Sequence, residues 1–338
     1  MSKVTTIGLD LAKNVFHLVG CDARGEMVRK RKLKRSQVLA YFANLERCRV
    51  AMEACGGAHY WGRELEALGF EVKLISARYV KAFVRGNKND YNDALAIAEA
   101  AQRAEMRFVR VKTPQQQDVQ ALHRLRKGCV DTRTALCNQL RGLVGEYGLV
   151  APKGVSALRR AIPHWLEDGE NGLSELFRRL LAESYERLKE LDTHIASYDQ
   201  EIERQSRQDE ACQRLQSIPG YGPIVASVFR SQIGDGQAYR RGRDVSAALG
   251  LVPRQHSSGD KTTLLGISKR GDRYLRSLLV HGARAVVSRA AHKDDRLSRW
   301  INKVRAERGY HKAVVALANK MARMGWAVLA HNTAYQPA

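Results

Sequence analysis

The sequence contains no apolar run approaching the roughly 18 to 20 residues that a membrane-spanning helix needs. Its six cysteines (Cys21, Cys48, Cys55, Cys129, Cys137 and Cys212) form no Cys-x-x-Cys pair and no zinc-ligand spacing. The first absence argues against a membrane protein; the second fits reduced thiols better than a disulfide scaffold. An acid stands at position 10, where a signal peptide would keep its apolar core, so no export signal is expected and the expected location is the bacterial cytoplasm. Acids are also scarce: 35 Asp and Glu face 57 Lys and Arg, leaving a net charge of +22. A protein so basic attracts a polyanion, most simply nucleic acid.

The 338 residues suffice for two or three domains, and the charge divides them. Basic minus acidic residues come to +8 over 1–111, 0 over 112–209 and +14 over 210–338. The changes coincide with shifts of pattern near Thr113-Pro114 and near Asp209. The middle therefore reads as a spacer, and both ends are candidates for touching nucleic acid.

The first segment reads as α/β. Val4 to Asp10 is a short β-rich run ending on a carboxylate, Val15 to Gly20 is a second, and Met27 to Leu33 is a third carrying Arg29, Lys30, Arg31 and Lys32. A helix follows from Ser36 to about Glu46. Arg49 to Met52 then forms a strand delivering Glu53, Ala58 to Leu68 a helix, and Phe70 to Ile75 a strand. Lys-Asn-Asp-Tyr-Asn-Asp at 88 to 93 opens an Ala-rich helix in which Asp90 and Asp93, three apart, share one face. Taken singly, Asp10 also reads as a solvated turn residue, and Asp90 and Asp93 as helix-start acids that favour the dipole.

The middle segment is helical. From Phe177, positions Leu181, Ser184, Leu188, Leu191, Ile195, Tyr198 and Ile202 alternate in steps of four and three, which is a coiled-coil seam. A looser stripe runs through Leu122, Leu125, Cys129, Thr132, Leu136, Leu140, Leu143 and Tyr147. The two helices can close on each other as an antiparallel hairpin or join protomers; joining protomers is the favoured expectation.

The last segment is expected to be mainly helical. Ser217 to Ala226, Ser-Ile-Pro-Gly-Tyr-Gly-Pro-Ile-Val-Ala, resembles a helix-hairpin-helix, in which Gly220 and Gly222 would allow a tight turn and free backbone N–H groups for a DNA phosphate. Downstream, Gly250 to Lys261 includes Ser257, Ser258 and Gly259, and Gly266 to Arg276 leads into a helix near Asp272 with Lys269, Arg270, Arg273 and Arg276 around its start. These cations, with Lys261, read as a phosphate grip, although a basic helix start also serves as ordinary solvated surface.

The ordered acids Asp10, Glu53, Asp90 and Asp93 resemble the D-E-D-D tetrad of RuvC-like domains, which implies an RNase H-like fold and two Mg2+ ions per site. Followed by long helices, a helix-hairpin-helix and the Ser-Gly and Ile-Ser-Lys-Arg-Gly motifs, they make residues 4 to about 330 closely resemble the DEDD-type insertion-sequence transposases, relatives of the pilin-gene invertases. The resemblance implies DNA cleavage and rejoining by metal-binding acids and a serine nucleophile, matched here by Ser258 with Ser257 adjoining it. It further implies element ends and target DNA as partners, an element-encoded guide noncoding RNA, and a homo-oligomer. Other readings are a RuvC-like junction nuclease, which needs no serine, a DNA invertase without a guide RNA, and a non-catalytic nucleic-acid-binding protein, which needs no clustered acids.

Overall fold

The computed structural model describes residues 3–87, 89–259 and 261–337. Lys88, which opens the Asp90 motif, and Asp260, after Ser258-Gly259, lie outside the described residues. The chain divides into two compact units that meet in sequence at Gln117 and Asp118.

In the first unit, β1 (Thr6–Asp10), β2 (Val15–Cys21) and β3 (Met27–Lys34) form an antiparallel meander, and β4 (Arg49–Glu53), β5 (Glu71–Ile75) and the short β6 (Phe108–Val109) extend the sheet from the other side of β1. The order is β3-β2-β1-β4-β5-β6, with β1, β4 and β5 mutually parallel and the remaining pairs antiparallel. The unit is thus α/β, as the strand signals announced, and its sheet is mixed. The helix expected from Ser36 is shorter, a 3₁₀ turn followed by α1 (Val38–Ala43). Side chains alternate along each strand, so the sheet has two chemically different faces. Ile7, Leu9, Phe16, Leu18, Val50, Met52 and Leu74 line one, packed with Phe42 of α1 and with Trp61 and Leu65 of α2 (Ala58–Ala67). The other carries Val19, Ala51 and Ile75 beneath α4 (Asp90–Ala101), which follows the short α3 (Ala77–Val80). Alanines at 94, 96, 98, 100 and 101 give α4 a thin buried surface. Gly8 lets it come closer still, because a Cβ there would stand 1.9 Å from the Ala94 carbonyl oxygen.

The second unit is mainly helical. Helix α5 (Pro114–Gly145) begins just before the unit boundary and is followed by α6 (Val155–Glu167) and α7 (Glu175–Gln208). Arg126 pairs with Asp199 and Arg133 with Asp192, so α5 and α7 run antiparallel. The α7 stripe is spent inside the chain. Leu181 and Leu188 pack with Leu136, Leu140 and Val144 of α5 and Leu158 and Ile162 of α6, and Ile195 and Ile202 are buried further along. The expectation that Phe177–Ile202 serves as an intermolecular seam is therefore corrected: these apolar groups are already covered by their own chain.

Helices α8 (Glu210–Gln216), α9 (Pro223–Ile233), α10 (Gly242–Ala248), α11 (Arg273–Arg289), α12 (Arg296–Arg308) and α13 (Tyr310–His331) enclose the largest core, built on Phe229, Leu275, Leu279, Leu317 and Met321. Among the described residues α13 alone is long and apolar enough to cross a membrane, a stretch the sequence reading passed over; half of its most apolar window is buried in this core. The unit is mainly helical, as expected, with one unexpected element between α10 and α11: a two-stranded antiparallel hairpin, β7 (Pro253–Ser258) and β8 (Lys261–Ile267).

Candidate active site

The four acids named from sequence converge on the α4 face of the sheet. Asp10 ends β1 two residues beyond Gly8, and Glu53 ends the adjacent parallel strand β4 two residues beyond Ala51, so strand alternation sends both carboxylates to that face. Asp90 and Asp93 occupy the first turn of α4, whose N-cap, Asn89, accepts the Tyr91 backbone N–H through its side chain. Gly8 is what lets this helix start lie against the strand ends.

The electrostatics record the convergence. Burial, then the charges of Asp93, Asp90 and Glu53, push the Asp10 carboxyl up to about 6, opposed by a hydrogen bond from the Leu11 backbone. Burial and then Asp93 raise Glu53 as well. The nearby Cys55 thiol is raised by burial, then by Glu53 and Asp10. Carboxylates that hinder one another's ionisation form an uncompensated negative site, and their hard oxygen donors fit a divalent cation.

A residue the sequence reading missed completes the cluster. His17 lies directly across the β1–β2 ladder from Asp10, with its Nδ1 3.3 Å from Asp90 Oδ2. Ligand atoms of Asp10, His17 and Asp90 all lie within 4.8 Å of one another, a group able to hold a metal ion. The available signal was a single polar residue inside the apolar run Val-Phe-His-Leu-Val, at a position that hairpin register places opposite Asp10.

The basic strand lies at the sheet edge beside this cluster. Cross-strand pairing sets Lys32 against His17 and Lys30 against Val19, which puts both on the α4 face, while Arg29 and Arg31 point to the other. Lys30 sits 5.3 Å over the Tyr91 ring.

The remaining named residues belong to the second unit. Ser257 and Ser258 are in strand β7; they face Thr262 and Lys261 across the ladder and are exposed. Ser257 Oγ accepts a 2.9 Å hydrogen bond from Gln255. Ser258 has no side-chain hydrogen bond among the described residues and sits at the tip beside Gly259. Gly220 and Gly222 lie between α8 and α9. Gly220 has φ of 89°, and a Cβ there would meet the Gly282 carbonyl oxygen at 2.9 Å, so internal packing demands this glycine. Gly222 caps α9 in open surroundings, with Pro223 in the first helical position. Lys269, Arg270 and Arg273 are exposed around the start of α11, which Asp272 caps. Arg276 departs from the expected phosphate grip: its guanidinium donates to the carbonyls of Leu249 at 3.1 Å and Arg270 at 2.8 Å, fastening the loop.

A groove of about 1380 Å³ in the same unit went unread in the sequence. Among the described residues its lining includes Arg241, Arg243, Arg308, Lys312, Lys320 and Arg323 with Trp300 and Trp326, and no acid. These cations come from α10, α12, α13 and the turn before α10, separations at which no local motif forms.

Residues 7–148 match the model of a DEDD transposase domain, and residues 212–298 match that of the transposase IS116/IS110/IS902 family. The chain is 48% identical over 335 residues to a probable family 20 transposase of Pseudomonas aeruginosa, covering 99% of each protein. It is 45% identical to the transposase for insertion sequence element IS1111A of Coxiella burnetii, over 99% of this chain and 92% of that one. To the transposase for insertion sequence element IS1328 of Yersinia enterocolitica it is 40% identical, over 99% of each.

Proposed function

The chain belongs to the IS110 family of insertion-sequence transposases, and on that premise we propose that it cuts and rejoins DNA at Asp10, Glu53, Asp90 and Asp93 with Ser258 as nucleophile. The observation that carries the reading is the convergence of the four acids on one face of the sheet, where ligand atoms of Asp10 and Asp90 lie within 4.8 Å of one another. Maintaining four crowded carboxylates beside a DNA polyanion is costly unless a cation neutralises them. Two Mg2+ ions held by these residues would activate an attacking oxygen and stabilise a leaving one. The strand order, with the acids at adjacent strand ends and on the following helix, supports an RNase H-like assignment.

In the reaction the Ser258 hydroxyl loses its proton, its oxygen bonds to the DNA phosphorus, and one P–O bond of the phosphodiester breaks, its sugar oxygen leaving as a hydroxyl after taking a proton. The strand then sits on the protein as a phosphoserine ester. Attack by the hydroxyl of a new strand reverses the chemistry, restores Ser258 and needs no external energy. Ser258 is preferred to Ser257 because the hydroxyl of Ser257 is held by Gln255.

Residues 1–111 would supply the acids, 112–209 a coiled-coil scaffold, and 210–338 the serine and the helix-hairpin-helix of α8 and α9. Arg29, Lys30, Arg31, Lys32, Gly222, Lys261, Lys269, Arg270 and Arg273 would contact phosphates of DNA or of an element-encoded guide RNA, with Gly220 and Arg276 shaping the loops. A homo-oligomer would use the far end of the helical hairpin, where Val150 is 84% and Leu176 59% exposed. Alanine at any of the four acids should abolish strand cleavage and exchange while leaving DNA retention in gel shifts intact. Full activity of any two of these variants, or activity in excess chelator, contradicts the metal reading.

A further inference from the structure

We propose that His17 is a positioning residue that holds the Asp90 carboxylate at the cation site, an inference that rests on the metal reading of the four acids. Asp90 is the first residue of α4 and its side chain is 57% exposed. Repulsion from Asp10 would turn so exposed a carboxylate outward into water. Among the described residues its one ion-pair partner is His17, Nδ1 to Oδ2 at 3.3 Å.

His17 is itself fixed. It is 9% exposed, sits in the middle of the β1–β2–β3 meander, and meets Tyr91 edge-on with ring centroids 4.8 Å apart. Lys30 Nζ sits over the Tyr91 ring as well. A buried imidazole therefore tethers an exposed acid, and a carboxylate held in place loses less freedom when it takes a cation. Outer partners of this kind change metal affinity by about 10- to 100-fold when removed. The tether also explains why a histidine occupies an otherwise apolar strand.

The test is cation binding to the full-length protein without DNA, reading free Mn2+ by electron paramagnetic resonance and Mg2+ by competition. His17→Phe should weaken both ions about tenfold or more. His17→Asn, whose amide nitrogen stands near the position of imidazole Nδ1, should recover most of that loss, and its melting in EDTA should match the parent protein. Unchanged binding in His17→Phe overturns the inference, as does failure of His17→Asn to recover either ion. A loss much larger for Mn2+ than for Mg2+ also overturns it, because a direct nitrogen ligand favours the softer ion. Asp10→Asn separates the two readings: if it binds both ions like the parent, the metal site itself is wrong, whereas loss there with normal His17→Phe removes only the tether.

Discussion

Two groups with opposite pKa shifts, buried His123 and half-buried Asp10, give the molecule a defined response to acid. His123 on α5 is 2% exposed, with Nε2 3.1 Å from Ser227 Oγ and Nδ1 3.3 Å from the Tyr274 hydroxyl. Burial lowers it from 6.5 to about 4, Arg126 adding to the shift and Asp199 opposing it. A group depressed on folding adds stability that is complete above its unfolded value and lost as pH falls through the folded one. Stability should therefore drop by on the order of 3 kcal/mol between neutral pH and pH 4 from this residue. Urea titrations of His123→Gln should show a flatter pH dependence than the parent. Asp10 has the other sign: raised to about 6, it favours the folded state below the ordinary carboxylate range and loses that contribution as pH rises through 6. A divalent cation should accordingly raise the melting temperature more at pH 7.5 than at pH 5, and a shift equal at both would exclude Asp10 as a ligand.

The site depends on how closely α4 sits on β1. Gly8→Val should destabilise the first unit by about 1–3 kcal/mol in urea unfolding, because the Ala94 backbone blocks any Cβ. It should also abolish cation binding by lifting Asp90 and Asp93 off the strand ends. The strand-ending acids and the Asp-x-x-Asp helix were legible because period-two and helical spacing fix which side chains share a face. Hairpin β7–β8 was not: nearly all of it is exposed, so its Ser, Thr and Lys residues leave no apolar alternation to read. The heptad stripe of α7 was legible as a face that must be covered, but spacing does not say by what, and the partners are α5 and α6 of the same chain. Leu188→Asp should therefore lower the melting temperature and the helical circular dichroism of the isolated protein, since Leu188 is 0% exposed. A variant with normal melting that has merely changed its oligomeric mass would restore the intermolecular seam.

For the whole molecule, the charge of +22 is the largest sequence-level fact, and its distribution over distant helices explains why the basic groove escaped reading while the charge itself did not. DNA affinity should fall steeply and log-linearly with salt concentration, and the acid-to-alanine variants should keep the slope of the parent. In the proposed route a metal-dependent acid site in one unit acts with a serine of the other, and the covalent intermediate of that route can be trapped. Reactions stopped with denaturant and run on a denaturing gel should show labelled DNA attached to protein, abolished by Ser258→Ala and by Asp10→Ala and retained in Ser257→Ala. An adduct that survives Ser258→Ala, or strand exchange that proceeds normally in that variant, would contradict the account.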